Sequence, residues 1–193
     1  DGNDATHQGV LKMLAMGAGQ TPIMDYFKNL KIVPVSISYE YDPTDALKMP
    51  QLLAEAKQEI YVKEKNEDFV TLMSGIMGQK KHIHIHLGKV LDFEIDQIKE
   101  NFENGNKQIQ ALAQVIDDSI LQSYKLWPTN YIAVDLLNKS DQYKSKYTEA
   151  EKQLFERRLE MKIDVNNSTE YEGFLAMYAN PVINKAKYNQ DAK

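Results

Sequence analysis

A proline sits inside what is otherwise a strand-forming run, Ile32-Val33-Pro34-Val35-Ser36-Ile37-Ser38-Tyr39-Glu40. Ile32, Val33, Val35 and Ile37 are β-branched and suit a pleated, buried strand. Pro34 donates no backbone hydrogen bond, so the strand must kink, bulge or lie at an edge there. Lys81 to Leu87 alternates strictly and predicts a second strand, ended by Gly88. On this reading Pro34 marks an irregular point of a core strand, with its flanking valines packed under helices.

Helical signals surround the two strands. Val10, Leu11 and Leu14 share a face over 5–16, and 21–30 forms a second short helix. A helix over 45–57 is predicted to be interrupted near Pro50. Asn66 precedes a helix with Phe69, Val70, Met73, Ile76 and Met77 on one side. Met13, Met16, Met73 and Met77 are expected in apolar core packing. Beyond about residue 92 the periodicity is purely helical. Ile109, Leu112, Ala113, Ile116 and Ile120 mark one helix, and Pro128 opens another. Thr148 and Glu151 form a capping box before Leu154, Phe155, Arg158 and Leu159. Tyr171, Phe174, Leu175 and Tyr178 give a last stripe, expected to stop at Asn180-Pro181. The lysine-rich stretch 140–147 reads as a flexible connector, and 184–193 as a fraying end.

The strand motif and its surroundings resemble the fourth motif of the glycerolipid acyltransferases. Gly9 to Leu14 upstream, with Asp1-Gly2, is similar to the segment that follows that family's third motif. Tyr39-Glu40 matches the end of its proline-bearing strand. Trp127-Pro128-Thr129-Asn130-Tyr131-Ile132-Ala133, with Tyr178-Ala179-Asn180-Pro181-Val182, is similar to the C-terminal region of a bacterial branch. The resemblance implies an α/β fold: residues 1–92 as the C-terminal portion of an acyltransferase-type sandwich of few strands, and 93–193 as a helical subdomain. It implies acyl transfer from a thioester donor, acyl carrier protein or acyl-coenzyme A, to a glycerol-phosphate or lysophospholipid hydroxyl. Pro34, Tyr39 and Glu40 are the substrate-binding candidates it assigns. Peripheral contact with the inner face of the membrane, in the cytoplasm, follows from the same resemblance.

The family's catalytic signature, a His followed five residues later by an Asp, has no counterpart. The fifth residue after His7 is Lys12, and after His82, His84 and His86 it is Leu87, Lys89 and Leu91. No catalytic residue is therefore assigned, and no cofactor. The chain, which begins at Asp1, is expected to be a fragment that is inactive alone and self-associates through an exposed sheet edge or apolar patch. A noncatalytic helical module that docks a protein or membrane is the competing expectation. Tyr41-Asp42 stands where some relatives place a basic residue, which leaves donor and acceptor open.

Other chemistry is narrowed by composition. A net charge of −5 argues against nucleic-acid binding. With no cysteine, a disulfide framework, a thiol nucleophile and thiolate-bound metal are excluded. The longest uncharged run, Met13 to Met24, is too short to cross a bilayer. His82, His84 and His86 alternate like a metal-binding strand, yet the outer two lie roughly 13 Å apart along it. One ion with bonds near 2 Å cannot hold all three. The expectation is a half-exposed strand with isoleucines inward and histidines toward solvent. Gln79-Lys80-Lys81 is a small cationic turn, and Glu40, Asp42 and Asp45 read as turn and structural carboxylates. Trp127 is expected to anchor the helical half onto the strand-bearing half.

Overall fold

The structure, a computed structural model, describes residues 5–191, with side chains through residue 189. Among these residues the chain is mostly helical, with 65% helix, nine α-helices and one two-stranded antiparallel sheet. That overturns the α/β expectation. The acyltransferase-type sandwich is not present, because a sandwich needs a sheet wide enough to bury a face, and two strands do not provide it.

The described residues form two compact units, each built from two stretches of chain: 5–37 with 85–124, and 38–84 with 125–191. In the first, α1 (Gln8–Ala15), α2 (Ile23–Leu30), α5 (Asp92–Asn101) and α6 (Gly105–Ser123) enclose a core of Leu11, Met24, Phe27, Leu91, Ile95, Ile98, Ile109, Leu112 and Ala113. Lys28–Asp96 (2.5 Å), Lys31–Asp92 (2.6 Å) and Lys99–Asp25 (2.5 Å) tie α2 to α5 across their solvent side.

In the second unit, α3 (Asp45–Ala56), α4 (Glu67–Met77), α7 (Pro128–Asn138), α8 (Glu149–Lys162) and α9 (Ser168–Asp191) follow one another. Tyr41, Met49, Ile132, Phe155, Leu159, Phe174, Leu175 and Tyr178 are central to its core. The capping box forms as the spacing predicts: Thr148 Oγ1 accepts from the Glu151 amide (3.2 Å), and Glu151 Oε2 accepts from the Thr148 amide (2.7 Å). These bonds hold the Glu151 carboxyl below its ordinary range.

The two prolines expected to break helices do not. α3 runs through Pro50 and α9 through Pro181 as far as Asp191. A proline within a helix frees carbonyls in the preceding turn. Just ahead of Pro181 α9 is tied to α7, where the buried Asn130 amide donates to the Tyr178 carbonyl at 2.9 Å. The stretch 140–147 is pinned rather than loose. Buried Asp135 accepts from Ser140 Oγ (3.0 Å), the Tyr143 amide (3.0 Å) and the Tyr147 hydroxyl (2.8 Å). Burial and Asp135 together push the Tyr147 phenol up to about 12.

The strands hold the largest surprise. β1 (Val35–Tyr39) and β2 (Ile83–Leu87) contribute no residue to either core. The bonds from Glu40 N–H to the His82 carbonyl and from Gly88 N–H to the Pro34 carbonyl, both 2.9 Å, fix the register. That register sets Val35 opposite Leu87, Ile37 opposite Ile85 and Tyr39 opposite Ile83 on one face, and Ser36, Ser38 and Glu40 opposite the three histidines on the other. The apolar face is the bare one. Val35 and Ile37 are 41% and 46% exposed, whereas Ser36 and Ser38 are 1% and 0% exposed. The expectations of inward isoleucines and of valines buried beside Pro34 are therefore reversed. Alternation reveals that a strand has two faces but does not say which is covered, and here the small hydroxyl face is.

Substitutions on the two faces should behave oppositely. Val35→Asp is expected to change unfolding free energy by no more than about 0.5 kcal/mol, as for other surface positions. Ser38→Asp, which buries a carboxylate with no partner, is expected to cost several-fold more. Urea unfolding of both variants checks this, and equal losses would contradict the observed register.

Candidate functional site

Glu40 ends the covered face of β1, so its carboxylate is buried (1% exposed) and needs partners there. The antiparallel register supplies them from the residues just before β2. Lys81 Nζ lies 2.5 Å from Oε1, and His82 Nδ1 bonds Oε2. Burial alone would lower the Lys81 ammonium, but the bond and charge of Glu40 outweigh it, and Lys81 titrates above its ordinary value. The backbone is held as well, since Thr129 Oγ1 donates to the Glu40 carbonyl at 2.9 Å.

Pro128 starts α7, which leaves Trp127 as its N-cap, with the Trp127 amide donating to Asn130 Oδ1 at 2.7 Å. The indole stacks on the His82 ring, with centroids 5.5 Å apart and planes at 17°. Lys125 Nζ stands 4.2 Å from the indole centroid. His82 is thus held between a buried carboxylate and an aromatic plane, with its side chain 66% exposed. In the tautomer protonated at Nδ1, His82 donates to Glu40 and Nε2 carries the lone pair. The described contacts of His82 include no Ser, Thr or Tyr hydroxyl, so the dyad stands without a nucleophile.

The three candidates from the sequence fall in different settings. Pro34 lies one residue ahead of β1, and its carbonyl receives the Gly88 amide. A Cβ at Gly88 would be tight, meeting that carbonyl at 3.0 Å and Ser119 Oγ at 3.3 Å. Tyr39 belongs to the bare face and Glu40 to the covered one, so these neighbours point to opposite sides. The structure does not bring the three together. His84 Nδ1 is buried without a partner, and among the described residues no group of three or more His, Asp and Glu could hold a metal ion.

A second polar centre forms on Asp45, one of the carboxylates expected to be structural, through partners that no local pattern reveals. Asp45, at the start of α3, pairs with Arg158 of α8 through Nη2 (2.5 Å) and Nε (3.1 Å), and accepts the Tyr178 hydroxyl of α9 at 2.8 Å. Burial and Asp45 push the Tyr178 phenol far up. All three groups are buried, and their bonds satisfy one another, which makes this a structural pin rather than an open site. In the other unit a cleft of about 640 Å³ lies between α5 and α6, lined by residues that include Glu94, Ile98, Phe102, Lys107 and Val115.

No family model, curated protein or solved structure matches the chain. No helix among the described residues is long and apolar enough to cross a membrane.

Proposed function

We propose that this chain forms part of a glycerolipid acyltransferase, which moves an acyl group from acyl carrier protein or acyl-coenzyme A to a glycerol-phosphate or lysophospholipid hydroxyl. The observation that carries the reading is the uncovered apolar face of the β1–β2 ribbon. Two strands alone are marginal in water, and a face of Val35, Ile37, Tyr39, Ile83, Ile85 and Leu87 is the surface on which a further layer packs. The proline-bearing strand of the resemblance is the one that presents it. In this reading a further layer covers the apolar face of the strand pair, and the His and Asp of the reaction come from residues outside this sequence. There the histidine takes the acceptor proton and the aspartate orients it. Glu40, Lys81 and His82 then fix the end of the strand, with Tyr39 beside the added layer. The protein would work in the cytoplasm, peripheral at the inner membrane face where its acceptor lies.

The chain alone is expected to consume acyl thioester in the presence of lysophosphatidate at the buffer rate. The complete product of its gene is expected to acylate glycerol phosphate or lysophosphatidate. A complete product with neither a His-x4-Asp pair nor thioester turnover removes the acyltransferase reading. Turnover by the chain alone that is lost in His82→Ala would instead place a reaction centre on the Glu40–His82 dyad. The second reading, a noncatalytic docking module, is favoured by one observation, the outward apolar face of α4.

A further inference from the structure

α4 is turned inside out. Phe69, Val70, Leu72, Met73, Ile76 and Met77 fall within one broad arc of the helix, and every one is more than a third exposed, Met77 by 76%. Thr71, Ser74 and Gly75, the small and weakly polar residues, are its half-buried side. The helix contributes no buried residue, although it is among the most apolar segments of the chain.

We infer that this face is the contact between two copies of the chain, paired through antiparallel α4 helices. The size fits. Six such side chains at these exposures offer on the order of 600 Å², with large side chains carrying roughly 150–200 Å² each. Two such faces together bury about 1,200 Å², within the range of specific interfaces. The composition fits as well: an uncharged Phe, Met, Ile and Leu centre with charges confined to its ends.

The ends of the helix are polar, and its dipole favours one orientation of a second copy. Glu67 and Asp68 occupy the first turn. Glu67 accepts the Tyr61 hydroxyl, and Asp68 pairs with Lys63. Lys80 closes the other end, its ammonium donating to the Ile76 and Gly78 carbonyls. Antiparallel pairing about a two-fold axis opposes the helix dipoles favourably and keeps these polar ends, each already paired within its own chain, at the rim of the apolar contact. A bilayer surface is a poorer occupant, because interfacial helices carry lysines along the polar side and α4 carries Thr71, Ser74 and Gly75 there. The inference does not depend on the acyltransferase reading.

The test uses the full chain. Sedimentation equilibrium is expected to give twice the 22.2 kDa chain mass at high concentration. Ile76→Asp, on an exposed position, should keep the helical circular dichroism and weaken the dimer at least about thirtyfold, as loss of a central anchor does. Because the chain has no cysteine, Met73→Cys at the centre of the face should crosslink to itself on oxidation. Phe69→Cys or Met77→Cys alone should not. Four results would each overturn the proposal. They are a single-chain mass at all concentrations, a dimer indifferent to Ile76→Asp, equal crosslinking at 69, 73 and 77, and vesicle binding lost in Ile76→Asp while the protein in solution stays single.

Discussion

Arg158→Ala is expected to destabilise its unit by about 3–5 kcal/mol, the loss typical of breaking a buried ion pair by removing one partner. The side chain is 7% exposed and does three things at once. It pairs with Asp45, donates to the Asp42 carbonyl at 3.2 Å, and lies 4.5 Å over the Tyr41 ring. Without it Asp45 retains, among the described residues, the Tyr178 hydroxyl and the Ala46 amide (2.8 Å), too little for a buried carboxylate. The double variant Asp45→Asn, Arg158→Met should recover part of the loss, because it removes both charges together. Urea unfolding measures both. A loss below about 1 kcal/mol for the single variant would show that the guanidinium is not desolvated as the structure has it.

Trp127→Ala is expected to cost about as much, 3–5 kcal/mol, as truncation of a large buried aromatic does. Part of that loss is apolar contact. The rest is local: the indole is the surface against which His82 is stacked, and Lys125 covers it. Trp127→Phe should restore most of the stability, since a ring remains for His82 to stack on. If Trp127→Ala melts like the parent chain and the His82 proton resonances do not move, the stacked arrangement is wrong.

These two positions show what could be read from the sequence and what could not. Thr148 and Glu151 lie three residues apart, and the bond between them is a property of that spacing; so are the helix at Pro128 and the strand at 83–87. Trp127 beside the start of a helix is expected to be covered, and it is buried and stacked on His82 within its own unit. Asp45 and Arg158 are 113 residues apart, and no local pattern joins them. The burial of α4 and of the four methionines at 13, 16, 73 and 77 was expected from apolar periodicity alone, yet all four lie exposed. Periodicity marks a face that wants covering and is silent on what covers it. Asn180-Pro181 carries a local stop signal, whereas the contacts that hold α9 there, such as the Asn130 amide on the Tyr178 carbonyl, come from another helix. The resemblance at Asp1-Gly2 falls outside the described residues.

The interleaving of the two units along the chain has a kinetic consequence. Synthesis delivers residues at a steady pace, and domains close as their parts emerge. The unit of 5–37 and 85–124 has all its helices once residue 124 is free. The other cannot close then. Residues 38–84 are already made, but Phe155, Phe174 and Tyr178 are not, and Asp45 waits for a guanidinium far downstream. In that interval Met49 and Tyr41 have no core to enter. Contacts this distant also form slowly in refolding. A nascent chain halted near residue 124 would therefore present one finished unit and one sticky, unfinished segment.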